Sequence, residues 1–259
     1  MDFRTRRQLA VILVVGLSAL AIGFGFYRAF APQPTCFDNR QNQKEEEVDC
    51  GGPCIPCLFK HQKPLEVFWA RFVEVRENTY DVAAEIRNPN AKLAATSFEY
   101  ILKMFDTAGV LVDSRRGTAF IYPAETMHIV EVGLTSGRVI RNVTLRIERE
   151  RWAISESIAP NVVVGNREYG LESEDGGEKS VLKAIVVNNS VLDVPGIRVA
   201  VLAFDDRANL LGVHGTVIDT LRAGESRPVK FIWPSMFPRP VSSIVIEARS
   251  AVALPPHEP

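Results

Sequence analysis

Four cysteines, Cys36, Cys50, Cys54 and Cys57, are the residues of this chain best suited to chemistry. All of them fall in one polar stretch, CFDNRQNQKEEEVDCGGPCIPC, and none occurs elsewhere. In an oxidising compartment, four cysteines in a segment without its own core read as two disulfides, each adding a few kcal/mol by restricting the unfolded chain. A bond between Cys54 and Cys57 would close a very small loop. That favours Cys36 to Cys54 with Cys50 to Cys57, or Cys36 to Cys57 with Cys50 to Cys54, and the residues do not choose between them. A Cys₄ zinc site is the metal alternative, since Cys54-x-x-Cys57 has ligand spacing, but a zinc ribbon brings a second C-x-x-C and here the upstream pair is separated by thirteen residues. A redox C-x-x-C needs a helix N-terminus or basic neighbour to lower a thiol pKa, and no βαβ pattern surrounds this one. Asp38, Asn42, Glu45 and Asp49 supply oxygens that could hold calcium, although the spacing is not that of an EF-hand loop. A solvated acidic turn is the simpler reading.

No other constellation points to catalysis. His61, His128, His214 and His257 are dispersed, and the chain has no G-x-S-x-G, no H-E-x-x-H and no phosphate-binding glycine loop. Asp106 and Asp205 sit at equivalent turn positions, where an aspartate caps the backbone. Trp69, Trp152 and Trp233 lie in strand patterns and read as core. Asn142-Val143-Thr144 and Asn188-Asn189-Ser190 match the glycosylation acceptor and carry little weight. Lys plus Arg is 30 and Asp plus Glu is 31, so no charge excess draws the chain to nucleic acid. The expectation is a protein with no catalytic residue, no cofactor and no enzymatic activity.

The elements that hold the cysteine cluster begin with a charge-free run from Leu9 to Tyr27, LAVILVVGLSALAIGFGFY. At ~1.5 Å per residue it nearly matches the ~30 Å hydrocarbon core of a bilayer. Arg4, Arg6 and Arg7 precede it and only Arg28 follows directly, so the positive-inside bias predicts a cytoplasmic N-terminus over residues 1–8 and a transmembrane helix over 9–28. Everything after it lies outside the cytoplasm. Signal-peptide cleavage after Ala29-Phe30-Ala31 is disfavoured by Pro32, and Gln33-Pro34-Thr35 before Cys36 lacks a lipoprotein context. The cysteine-rich segment, residues 29–63, resembles a motif of extracellular bacterial and archaeal proteins, C-x-D-G-x-x-N-x-x-E-x-x-x-D-C-G-G-x-C-x-x-C. Cys36, Asp38, Asn42, Glu45, Asp49, Cys50, Gly51, Gly52, Cys54 and Cys57 fall on it, with Asn39 in place of glycine. The resemblance implies export and no particular activity.

Beyond Lys63 the texture is β: short runs rich in Val, Ile, Phe and Tyr, broken by Asn, Pro, Gly and Asp. Two halves repeat each other at about 100 residues. Ile86-Arg87-Asn88-Pro89-Asn90 answers to Val186-Val187-Asn188-Asn189-Ser190. Met104-Phe105-Asp106 with Ala108-Gly109 answers to Ala203-Phe204-Asp205 with Ala208-Asn209, a hairpin in which Gly or Asn takes positive φ. Pro123-Ala124-Glu125-Thr126 answers to Ala223-Gly224-Glu225-Ser226, and Asn142 to Arg149 answers to Ser242 to Arg249. About seven strands per half predict an all-β fold of two tandem immunoglobulin-like β-sandwiches, residues 64–155 and 160–254, ahead of a tail at 255–259. They are expected to fold separately, joined near Arg151 to Pro160, where Ser155, Glu156, Ser157 and Pro160 read as a connection. These turns resemble FxLYD-type domains and late-embryogenesis-abundant type 2 sandwiches, from Leu65 to about Ser250. That resemblance implies a fold without common catalytic residues. The chain therefore reads as a single-pass surface or envelope protein of the cell membrane, held in the lipid bilayer through Leu9 to Tyr27. Its sandwiches bind another envelope protein or a cell-wall polymer, or act as spacers. A metal or thiol-redox module at the cysteines and an unrecognised envelope enzyme are the alternatives.

Overall fold

The computed structural model describes residues 3–30, 35–156, 159–174 and 177–255. Ala31 and Pro32 of the cleavage-site sequence, Gln33 and Pro34, Ser157 of the connection and His257 of the tail lie outside the described residues. The chain divides into two compact units, Met1–Lys60 and His61–Pro259.

The first unit holds helix α1 (Phe3–Phe30), in which Arg6–Phe30 is apolar and long enough to cross a membrane. Its 25 residues, at ~1.5 Å each, reach about 37 Å against a hydrocarbon core of ~30 Å. Its large apolar side chains, from Leu9 to Phe30, are exposed among the described residues. The helix starts within the segment expected to precede the span and continues two residues past its expected end. Ser18 donates its hydroxyl to the Val14 carbonyl at 2.8 Å, so this polar group is satisfied inside the helix. A short helix, α2 (Cys57–Lys60), closes the cysteine-rich segment.

The second unit is all-β. Among the described residues twelve strands build four three-stranded antiparallel sheets. In the first half, β1 (Glu66–Arg76), β2 (Thr79–Arg87) and β5 (Thr126–Thr135) form a sheet in the order β1-β2-β5. Across it lie β4 (Leu111–Ile121), β3 (Leu93–Asp106) and β6 (Ile140–Ile154), in the order β4-β3-β6. The second half repeats the plan with β7 (Val162–Glu174), β8 (Gly177–Asn188) and β11 (Ser226–Ile232) as β11-β8-β7. Its other sheet takes β9 (Val194–Phe204), β10 (Leu210–Leu221) and β12 (Ser243–Arg249) as β10-β9-β12. Each half thus has six strands rather than about seven. Residues 151–154 belong to β6, paired with β3 at Ala153↔Ala94 and Trp152↔Ala95, so the connection between the halves starts only at Ser155.

The sequence repeat is a repeat of hydrogen-bonded turns. Asn88 is fully buried, donating its carboxamide to the Leu93 and Tyr122 carbonyls and accepting from the Asn90 amide. Asn188 does the same toward Leu192 and Leu221, accepting from Ser190. Its burial places it away from solvent, where a glycosylation acceptor would have to be. Asp106 accepts from the Ala108 and Val110 amides, and Asp205 from those of Arg207 and Asn209. Glu125 and Glu225 each accept from the backbone three residues earlier, at Tyr122 and Arg222. One detail differs from expectation: Ala208 (φ 57°), not Asn209, takes the left-handed conformation filled in the first half by Gly109 (φ 75°). Asn209 instead turns its carboxamide back onto Asp205.

Both halves enclose an apolar core between their two sheets. In the first, Ile86, Phe98, Ile121 and Ile129 form one cluster and Tyr80, Val82, Leu102 and Met104 another; in the second, Leu182, Val186, Ile197, Val201 and Trp233 form one. A further cluster lies between the halves. Ala83, Leu202, Leu210 and Val213 are buried there, with Trp69, Val73, Val130, Phe204 and Val245 against them. The β1-β2-β5 sheet therefore faces the β10-β9-β12 sheet, and their central strands β2 and β9 are covered on each face. Alternation along β2 and β9 shows this, since Val82 faces one way and Ala83 the other, and Val201 and Leu202 divide likewise.

Asn88→Ala and Asn188→Ala should each destabilise the β unit by about 2 to 4 kcal/mol, because each strands several buried backbone carbonyls. Urea denaturation checks this, and a loss below about 0.5 kcal/mol would contradict the turn assignment. Asp106, Asp205 and Glu225 are all held below ordinary carboxylate values. The Val110 amide is the main cause for Asp106; at Asp205 burial pulls upward and is outweighed by Asn209, the Arg207 amide and Arg239; the Arg222 amide leads for Glu225. Carboxylates depressed on folding give stability that is complete above their unfolded pKa, near 4, and is lost as pH falls through the folded value. The stability gap between wild type and Asp106→Asn or Asp205→Asn should accordingly shrink below about pH 4. A gap that widens in acid would reverse the sign.

Candidate functional site

Within the first unit the cysteines form two disulfides, Cys36–Cys54 and Cys50–Cys57, one of the two pairings left open by the spacing. In this disulfide form the sulfurs are not thiolate ligands, while Cys36 and Cys54 gather beside Glu45, and Cys50 and Cys57 beside Glu47, each set within 4.8 Å. The carboxylates of the segment are engaged by its own backbone. Asp49 accepts from the Asp38 and Asn39 amides, and Glu45, buried, accepts from those of Asn42 and Asp49. Asp38 accepts from the Arg40 amide and the Asn42 carboxamide, the latter being the main reason its pKa is lowered. Asn42 Oδ1 is buried without a hydrogen-bond partner among the described residues. Asp38, Glu45 and Asp49 do not form a group within coordinating reach of one another among those residues. Asn39 takes φ 57°, and Gly51 and Gly52 take φ 80° and 59°, where a Cβ on Gly52 would lie 2.6 Å from the Lys44 carbonyl oxygen. The acidic and glycine residues thus fold the disulfide loops.

A site that no sequence motif marks lies between the halves of the β unit. A cleft of about 510 Å³ opens along β5, walled by β4 on one side and by β9, β10 and β12 on the other. Its apolar surface comes from Ala119, Phe120, Ile129, Val199 and Val217, and its charges from Arg115, Arg198, Arg249, Glu131 and Glu247. Small residues keep it open. A Cβ on Gly117 would lie 2.2 Å from the Tyr100 hydroxyl, and one on Gly215 would press Val130 at 3.2 Å.

Ion pairs pin the halves together around this cleft. Glu247 of β12 accepts from both the amide and the Nδ1 of His128, at 3.0 and 2.7 Å, while His128 Nε2 lies 3.6 Å from Glu85. Glu85 also accepts from the Trp69 indole at 2.6 Å. Arg249 donates to Glu125 at 3.0 Å with its guanidinium 5.0 Å above the Phe120 ring. Asp81, buried at the same face, accepts from the Gly133 amide, and burial raises its pKa. Deeper in, Tyr100 donates to Glu131 at 2.6 Å; burial first, then that carboxylate, pushes its hydroxyl well above the ordinary tyrosine value. Arg115 lies 3.6 Å from Glu131. Arg198 donates to the Thr118 carbonyl at 3.0 Å, and among the described residues its charge has no carboxylate partner.

The three tryptophans and His214 pack within the β unit. Trp233 is buried and donates to the Val213 carbonyl, Trp152 packs on the first core, and Trp69 lies at the join with Arg71 above it at 4.9 Å. His214 packs edge-on against Phe231 and Trp233.

No family model matches the chain, and no curated protein matches it. Among solved structures it is similar to red sea bream transglutaminase, with 11% identity over 73% of this chain and 29% of that one and a TM-score of 0.26. A second is the Amycolatopsis orientalis exo-chitosanase CsxA, with 11% identity, 69% and 26% coverage and a TM-score of 0.18. The chain spans less than a third of the length of either enzyme, and likeness at this level carries no argument about activity.

His128→Ala would leave Glu85 and Glu247 facing a buried gap without the imidazole between them. The β unit should lose about 1 to 3 kcal/mol, as measured by denaturation at neutral pH. An unchanged midpoint would show that the His128 bridge does not hold the halves together.

Proposed function

We propose that the chain is a membrane-tethered, extracytoplasmic binding protein without catalytic activity, its β halves presenting the cleft between them to another envelope component. The observation that carries this is the succession of an apolar helix and two disulfides in the first unit. Disulfides persist outside the reducing cytoplasm, and the arginines before the helix favour an N-terminus on the inner side. In this reading α1 lies in the bilayer of the cell membrane with Leu9 to Tyr27 in its core. The cleft supports binding rather than chemistry: its buried hydroxyl, Tyr100, is held protonated and its facing carboxylates are already paired. Kinship with FxLYD-type and late-embryogenesis-abundant type 2 sandwiches, and an immunoglobulin-like description of each half, belong to the same proposal. The paired turns at Asn88 and Asn188, Asp106 and Asp205, and Glu125 and Glu225 support them.

Protease added to intact cells should digest the β unit, and alkylation without reductant should modify no cysteine. A β unit digested only after lysis would refute the topology. Four alkylated thiols, or one zinc bound per chain, would favour the metal or redox reading instead.

A further inference from the structure

Strand β5 closes its sheet on one side only. It pairs with β2, and no other strand among the described residues pairs with it. The His128 amide leaves the ladder and donates to Glu247. In an antiparallel pair, alternate residues present N–H and C=O to the same side, so those of Val130 point along this free edge as well. The edge runs through the cleft, where residues 127–132 line its floor. A strand laid against it would extend the β1-β2-β5 sheet and, displacing the Arg198–Thr118 hydrogen bond that spans the opening from β9 to β4, lie between β4 on one face and β9 and β10 on the other. Free edges of this kind recognise extended peptides through the main chain, while pockets on the two faces select alternate side chains.

The cleft offers two kinds of contact. Ala119, Phe120 and Ile129 are apolar. Arg198, rooted on β9, reaches to the Thr118 carbonyl of β4 with no carboxylate among the described residues meeting its charge, and Arg115 on β4 is 62% exposed and 3.6 Å from Glu131. With the His128 amide taken by Glu247, residues 129–132 leave a free edge about 14 Å long at ~3.4 Å per residue, enough to pair with the central residues of a short extended peptide.

We propose that the cleft receives an extended peptide strand of a partner protein, with apolar side chains alternating with acidic ones, which pairs with the free edge of β5 and sets its carboxylates against Arg198 and Arg115. This rests on the cleft being the binding site, and deepens that reading by naming the class of ligand. Its failure is distinct from failure of the tethering, which protease and alkylation test separately.

The full chain in lipid nanodiscs would be titrated with a fluorescein-labelled octapeptide of alternating valine and glutamate. Comparison peptides would be the valine–lysine octapeptide and a valine–glutamate octapeptide N-methylated at its valines. Saturable binding is expected for the first, with at least tenfold weaker binding of the other two. Arg198→Glu should weaken the first peptide at least tenfold, and Arg198→Gln, which keeps a donor for Thr118, severalfold, the latter with an unchanged thermal midpoint. No saturable binding of the valine–glutamate peptide would overturn the proposal. Equal binding of the N-methylated peptide would overturn strand pairing, and equal or tighter binding of the lysine peptide would overturn the charge assignment.

Discussion

Ala83, Leu202 and Val213 are fully buried where the β1-β2-β5 sheet meets the β10-β9-β12 sheet, in a cluster that belongs to neither half alone. Each large aliphatic side chain withdrawn from water contributes roughly 1.5 to 3 kcal/mol as an upper estimate. Leu202, Leu210 and Val213 together therefore supply several. That burial covers the central strands of the two inner sheets, β2 and β9, on both faces. The polar bridges His128 to Glu247, Arg249 to Glu125 and Tyr122 to the Ser250 carbonyl then fix how the inner sheets lie on each other. Bridges of this sort add orientation more readily than net stability.

The cleft follows from the same constraint. An inner sheet covered on both faces has only its edges to offer, and β5 ends one of them. Around that edge, alanine and glycine at Ala119, Ala200 and Gly215 leave space that larger residues would fill. The arginines at its mouth lie on three different strands: Arg115 on β4, Arg198 on β9 and Arg249 on β12. Assembly of the halves is what gathers them.

Local chemistry was legible in the sequence and assembly was not. The turns at Asn88 and Asn188 repeat because the same carboxamide bonds recur, and their residue types betray them at a distance of about 100 positions. The disulfide loops likewise announce themselves in Cys36, Cys50, Cys54 and Cys57. The strand signal in the sequence is weakest at β4 and β10, for physical reasons. The middle of β4, Asp113 to Arg116, is an exposed polar run at a sheet edge, and β10 is interrupted by Gly212 and Gly215. A Cβ on Gly212 would lie 2.5 Å from the Phe237 ring, so that glycine serves packing rather than a turn. The continuous apolar stretch of β9 did hint at burial on both faces, as buried strands read. Nothing in it says which surface covers the second face, so the cleft residues, spread from Tyr100 to Arg249, carry no motif.

Calorimetry of the full chain carrying Leu202→Asp tests the packing of the halves most directly. The Leu202 side chain belongs to the cluster between the halves and not to the second half's own core. A buried unpaired charge there should separate the inner sheets and lower the unfolding temperature of both halves, since each loses the cover on one face. If the first half melts at its wild-type temperature in Leu202→Asp, the halves do not depend on each other and the cleft between them is not a fixed site.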